Sequence, residues 1–281
     1  MRLVFIHGMR QEGLDPDLLR NNWTKSLVDK WHELKLTPTD VSPEMPFYGD
    51  VLDKLTALQR EGSSIRIRGG ESLNAEQSRL LSEMAGRLGI GDDEVRAEVG
   101  SEIVARGPLN SEYAQALVRL LDRKVPAFGR YGLKFVVQVE AYLRRPHVRE
   151  AVDEIVEPFL KGGPAVVVAH SLGTIVAYRL LTELKAPRVP LFLTVGSPLG
   201  FGVVKENIAP PKLGIPEQVE KWINGTDDRD YVATFASLDS STFCDGIENW
   251  TDIHNRTDDA HYIGDYLSDE KVARAIHRAL Q

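Results

Sequence analysis

The chain has 281 residues, with 34 Lys and Arg against 41 Asp and Glu, a formal net charge of −7. That balance argues against a basic stripe for nucleic acid. Cys244, the only cysteine, excludes an internal disulfide framework, and four Trp, eight Tyr and nine Phe argue against intrinsic disorder. The length suits one large α/β domain or two small ones, and composition does not choose between them.

In chain order, Leu3 to Ile6 is a short apolar run ending at Gly8, which predicts a buried strand. Asp15-Pro16 is a helix-start signal, and Leu19, Trp23, Leu27, Trp31 and Leu34 recur at helical spacing, so a helix is expected over about 16–34. Val41 to Leu52 is strand-like but holds Pro43 and Pro46; each lacks a ladder donor, so an edge strand is expected. Residues from about Lys54 to Arg130 break the alternation. Two helical stripes stand out there, one on Leu80, Leu81, Met84 and Leu88, the other on Tyr113, Ala116, Leu117, Leu120 and Leu121. We read 54–130 as a helical insertion and a candidate cap.

The α/β pattern then resumes. Val148 to Leu160 forms a helical stripe closed by Gly162-Gly163. Ala165 to Ala169 predicts a buried strand, 173–184 a helix, Leu191 to Val195 a strand, Val219 to Ile223 another, Ile247 to Ile253 the last strand, and Val272 to Leu280 the closing helix. Short apolar strands alternating with helices predict a mostly parallel sheet covered on both faces. No apolar run approaches the roughly 18 residues of a spanning helix, and no signal-peptide pattern opens the sequence. A cytoplasmic location with no membrane span is expected.

The strongest local signal is Ala165-Val-Val-Val-Ala-His170-Ser171-Leu172-Gly173-Thr174, a strand running through Ala-x-Ser-x-Gly into a helix. Small residues two positions either side of the serine let a tight turn pass close to neighbouring backbone. The bland alternative is a serine that merely caps a helix. This stretch resembles the nucleophile elbow of the α/β-hydrolase superfamily, with Ala169 in place of the first glycine.

The resemblance extends over residues 1–53 and about 131–281. It implies an α/β-hydrolase-type sandwich with about six mostly parallel strands, the strand before His7-Gly8 lying between the proline-bearing strand and the elbow strand. It further implies Ser171 as nucleophile, with Leu172 and Met9 as backbone donors to an oxyanion. The superfamily's order of serine, acid and histidine places the acid in the turn Asp227-Asp228-Arg-Asp230. Asp230, in Asp-Tyr-Val, ranks before Asp227. Of the histidines that follow, His261, in the loop before the closing helix, is the expected base, ahead of His254 and His277. The chemistry so implied is hydrolysis of a small-molecule carboxylic ester or thioester through a Ser-His-Asp triad, with no cofactor and no metal.

A serine peptidase or amidase would use the same residues. A non-catalytic interaction module on a hydrolase scaffold is the alternative of another class. Asp252, His254, Asp258, Asp259, His261 and Asp265 could supply metal ligands, without a recognisable ligand spacing. The acidic turns at 227–230 and 258–259 flank the expected acid and base, so a neutral or cationic substrate is expected at the rim.

Overall fold

A computed structural model describes residues 1–37, 41–62, 73–100, 111–125, 128–185, 187–208, 212–233 and 237–281. Five parallel strands form an open sheet in simple sequential order: β1 (Arg2–Ile6), β2 (Ala165–His170), β3 (Phe192–Val195), β4 (Trp222–Asp227) and β5 (Glu248–Ile253). Eleven helices accompany them among the described residues. They are α1 (Pro16–Glu33), α2 (Gly49–Gly62), α3 (Ala75–Arg87), α4 (Asp92–Val99), α5 (Ser111–Lys124), α6 (Phe128–Arg144), α7 (Pro146–Lys161), α8 (Leu172–Glu183), α9 (Gly202–Ile208), α10 (Ile263–Leu267) and α11 (Glu270–Leu280). None is long and apolar enough to cross a membrane.

Side chains alternate across a strand, and the core divides accordingly. Leu3, Phe5, Val166, Val168, Leu193 and Ile223 face one way, against α1, α10 and α11. Val4, Ile6, Val167, Ala169, Phe192 and Trp222 face the other way, with the remaining helices. The buried apolar residues of 54–130, such as Leu81, Met84 and Leu117, belong to this second cluster rather than to a core of their own. Asp15 caps α1 by accepting from the Leu18 N–H at 2.9 Å, with Pro16 in the first turn. Trp31 then ties α1 to α11 through Nε1–H to the Ala273 carbonyl at 2.8 Å.

Among the described residues the sheet has one strand fewer than the expected six. The proline-bearing stretch contributes a single bridge, Glu44 to Val4, in which the Phe5 and Glu44 N–H groups each donate at 2.9 Å. Pro43 and Pro46 bracket it, and the lost donors confine pairing to the residues between them. The remainder of that stretch, from Gly49, is the start of α2 rather than strand. The bridge lies on the free side of β1, whose other side pairs with β2, so β1 does sit between the proline segment and the elbow strand.

Candidate active site

The residues of interest gather where the strands end at their carboxyl side, the usual ligand position of an open parallel sheet. Gly8 follows β1, Ser171 follows β2, Gly196 follows β3, and Asp230 lies in the turn after β4.

Ser171 has φ 56° and ψ −132°, a conformation that a non-glycine residue adopts only under strain. Its backbone is pinned on both sides: the N–H donates to the Val195 carbonyl at 3.2 Å, and the carbonyl accepts from the Thr174 N–H at 2.9 Å and Oγ1 at 2.7 Å. The turn is possible because of two glycines. A Cβ at Gly173 would lie 2.4 Å from the carbonyl oxygens of Ile6 and His7, and one at Gly8 would lie 2.6 Å from the Ser171 Cβ. Ser171 stands at the N-cap position of α8, yet its side chain makes no capping bond. Its Oγ is buried with no hydrogen-bond partner among the described residues. Such an orphaned hydroxyl is costly and calls for a reason.

Asp230 is fully buried and pairs with His261, whose Nδ1 lies 2.9 and 2.8 Å from the two carboxylate oxygens. The carboxylate also accepts from the Val232 N–H at 2.9 Å and from the Tyr266 hydroxyl at 2.8 Å, which fixes its plane. Gly196, at φ 56°, lies directly beside the pair. A Cβ there would come within 3.0 Å of both Asp230 and His261. Asp227 is also buried but is spoken for: Arg229 and the Asn255 N–H, the latter at 2.6 Å, hold its oxygens. Burial opposes its ionisation, but the bonds to Arg229 and Asn255 outweigh that and keep its carboxyl below the usual range.

Two further histidines brace the site as neutral rings. His7 donates from Nδ1 to the Gly8 carbonyl at 2.7 Å and accepts the Tyr48 N–H on Nε2 at 3.1 Å, which holds the loop that presents Met9. Burial lowers its pKa to about 4. His170 donates from Nε2 to the His261 carbonyl at 3.0 Å, and the two rings lie 4.4 Å apart. Burial and then the neighbouring His261 push its pKa well below the ordinary value. Leu172 opens α8, so its N–H is one of the first-turn donors without a partner inside the helix.

Ser171, His261 and Met9 line one cavity of about 270 Å³, walled by Trp23, Phe135 and Tyr231 among others. No described residue of 54–130 lines it; its helical walls are Trp23 and Leu19 of α1, Phe135 of α6 and Ile263 of α10. His254 is exposed at the end of β5, and His277 binds the Thr37 carbonyl at 2.8 Å; neither lines the cavity. Among the described residues one group offers converging metal-ligand atoms, Asp227, Asp228 and His254, and the Asp227 oxygens in it are already bonded to Arg229 and Asn255. Of the six residues with metal-binding potential in the sequence, only His254 belongs to that group.

Tyr266 and Gly196 went unnoticed in the sequence. Nothing local marks a tyrosine of α10 as a partner of a carboxylate 36 positions earlier. Gly196-Ser197-Pro198 reads only as the end of a strand.

The chain is an α/β protein built on an open parallel sheet of five strands, with a strained serine and a His–carboxylate pair at the carboxyl ends of its strands. No protein-family model, no curated protein and no solved structure matches it.

Proposed function

We propose that the protein is a serine hydrolase of the α/β-hydrolase type that cleaves a carboxylic ester or thioester. One observation carries the reading: the strained Ser171, its hydroxyl unpartnered, shares a cavity with a histidine whose Nδ1 is held by a buried carboxylate. With Nδ1–H donating to Asp230, the lone pair of His261 is on Nε2, free to take the serine proton.

In this mechanism Ser171 Oγ attacks the substrate carbonyl as His261 Nε2 removes its proton. The carbonyl electrons move onto oxygen, and the Met9 and Leu172 N–H groups donate hydrogen bonds to that oxyanion; one such donor is typically worth about 3 kcal/mol. The tetrahedral species collapses, and the departing alcohol or thiol takes the proton from His261. Water then adds to the acyl-enzyme and gives its proton to His261. Collapse releases the carboxylic acid and returns the proton to Ser171, so the net change is ester plus water to acid plus alcohol. Asp230 keeps the imidazole in the right tautomer and stabilises the imidazolium.

The two aspartates give the test. Asp230→Asn should lower kcat on a short-chain nitrophenyl ester by roughly 10⁴-fold, through loss of the tautomer. Asp227→Asn should lower the melting temperature while kcat stays within about tenfold, because its oxygens serve Arg229 and Asn255. The reverse ranking would overturn the assignment.

A further inference from the structure

Arg10 follows Met9 and has φ 66°, in the left-handed region that is strained for a non-glycine residue. That turn brings its side chain to the wall of the Ser171 cavity. The guanidinium lies 3.7 Å from the centroid of the Tyr131 ring. Stacking occupies a face of the guanidinium and leaves its N–H groups, which lie in the plane, available.

Those donors are unspent. The one carboxylate near them, Asp259, is 3.8 Å from Nη1, an ion-pair distance too long for a hydrogen bond. Asp259 itself is engaged at Oδ1 by the His261 N–H at 3.1 Å. Among the described residues, no acceptor lies within hydrogen-bonding distance of the Arg10 guanidinium. A guanidinium held over an aromatic ring at the wall of the cavity that Ser171 also lines offers a planar fork of N–H donors suited to a carboxylate.

We infer that Arg10 is a specificity-determining residue and that the site takes an ester bearing a carboxylate, bound by the Arg10 fork. The inference rests on the serine-hydrolase reading for turnover but not for binding. It reverses the expectation, drawn from the acidic turns, of a neutral or cationic substrate: Asp259 holds Arg10 at the mouth only loosely, and a substrate carboxylate within hydrogen-bonding distance displaces that contact.

The test compares matched esters. One pair, the butyrate and hemisuccinate esters of 4-nitrophenol, places the carboxylate on the acyl part. The other pair, the butyrate esters of benzyl alcohol and of 4-(hydroxymethyl)benzoate, places it on the alcohol part. In at least one pair the carboxylate-bearing ester should have the higher kcat/KM. Arg10→Ala should erase that preference by roughly 10- to 100-fold more than it affects the neutral partner, the range of a charged hydrogen bond. Arg10→Lys, keeping charge without the fork, should recover part of it.

Binding of the same carboxylate esters to the Ser171→Ala protein, measured by calorimetry, reads Arg10 whether or not Ser171 reacts. Binding there that weakens on adding Arg10→Ala supports the inference even if the serine mechanism fails. Equal handling of charged and neutral esters, or equal losses on both in Arg10→Ala, overturns it while leaving the serine mechanism intact.

Discussion

His7 and His170 set a pH limit on the protein at the scale of single residues. Both rings are buried and both have pKa values below 6.5 in the fold, His7 at about 4 and His170 well below its ordinary value. The unfolded chain therefore binds more protons than the folded one as pH falls from 6.5, so their stabilisation is present above that pH and lost toward 4. Denaturant unfolding should show stability falling between pH 7 and pH 5, by about 2 kcal/mol from His7 alone, with His170 adding in the same direction. A flat profile over that window would contradict their burial as neutral rings. The serine was legible because its signal is local: the stretch Ala165 to Thr174 carries the strand, the turn and the small neighbours. The expected acid is legible as a turn, with Asp230 ranked before Asp227 only by its Asp-Tyr-Val setting, because both suit the expected position. What separates them is that Arg229 and Asn255 already occupy Asp227, while Asp230 meets His261 across 31 positions. Tyr266 and Gly196 act through contacts of that same long range and leave no local pattern.

Among the elements, the strained turn at Ser171 is closed by α8 starting almost in contact with β1. Gly173 gives that approach, with the Ile6 and His7 carbonyls where a side chain would stand. Gly173→Ala should force β1 and α8 apart, destabilise the protein by roughly 1–3 kcal/mol and lower activity with it; a melting temperature equal to the native one would mean that the turn is looser than described. Strands and long amphipathic helices were largely legible. Pro43 and Pro46 marked the sheet edge but not how little of it would pair. β4 runs later than its apolar residues suggest, because Asn224, Thr226 and Asp227 continue it as buried polar residues. They can do so because Thr194 Oγ1 donates to Asn224 Oδ1 at 2.9 Å and Asn224 in turn donates to Asn249 at 3.3 Å. Helix α6 was hidden by the β-branched residues of its Phe135-Val-Val-Gln-Val139 run, which tertiary packing overrides.

At the scale of the whole molecule, the sheet is a divider with a helical layer on each face, and the cavity opens where both layers meet the strand ends. Trp23 of α1 reaches it from one layer and Phe135 of α6 from the other. The segment 54–130 thickens the second layer, and no described part of it lines the cavity. The net charge of −7 belongs to the surface as a whole, whereas the mouth carries a guanidinium, Arg10, that no charge count would place there. If Ser171 is a nucleophile activated by His261, it reacts covalently with an electrophile aimed at such serines. A fluorophosphonate reacts preferentially with such a serine, through its Oγ and with loss of fluoride, so the measurement is mass-spectrometric mapping of the adduct on folded protein. One adduct, on the peptide that contains Ser171 and absent from the Ser171→Ala variant, is the predicted result. An unlabelled Ser171 in folded protein, or ester hydrolysis that survives Ser171→Ala, would contradict that role for Ser171.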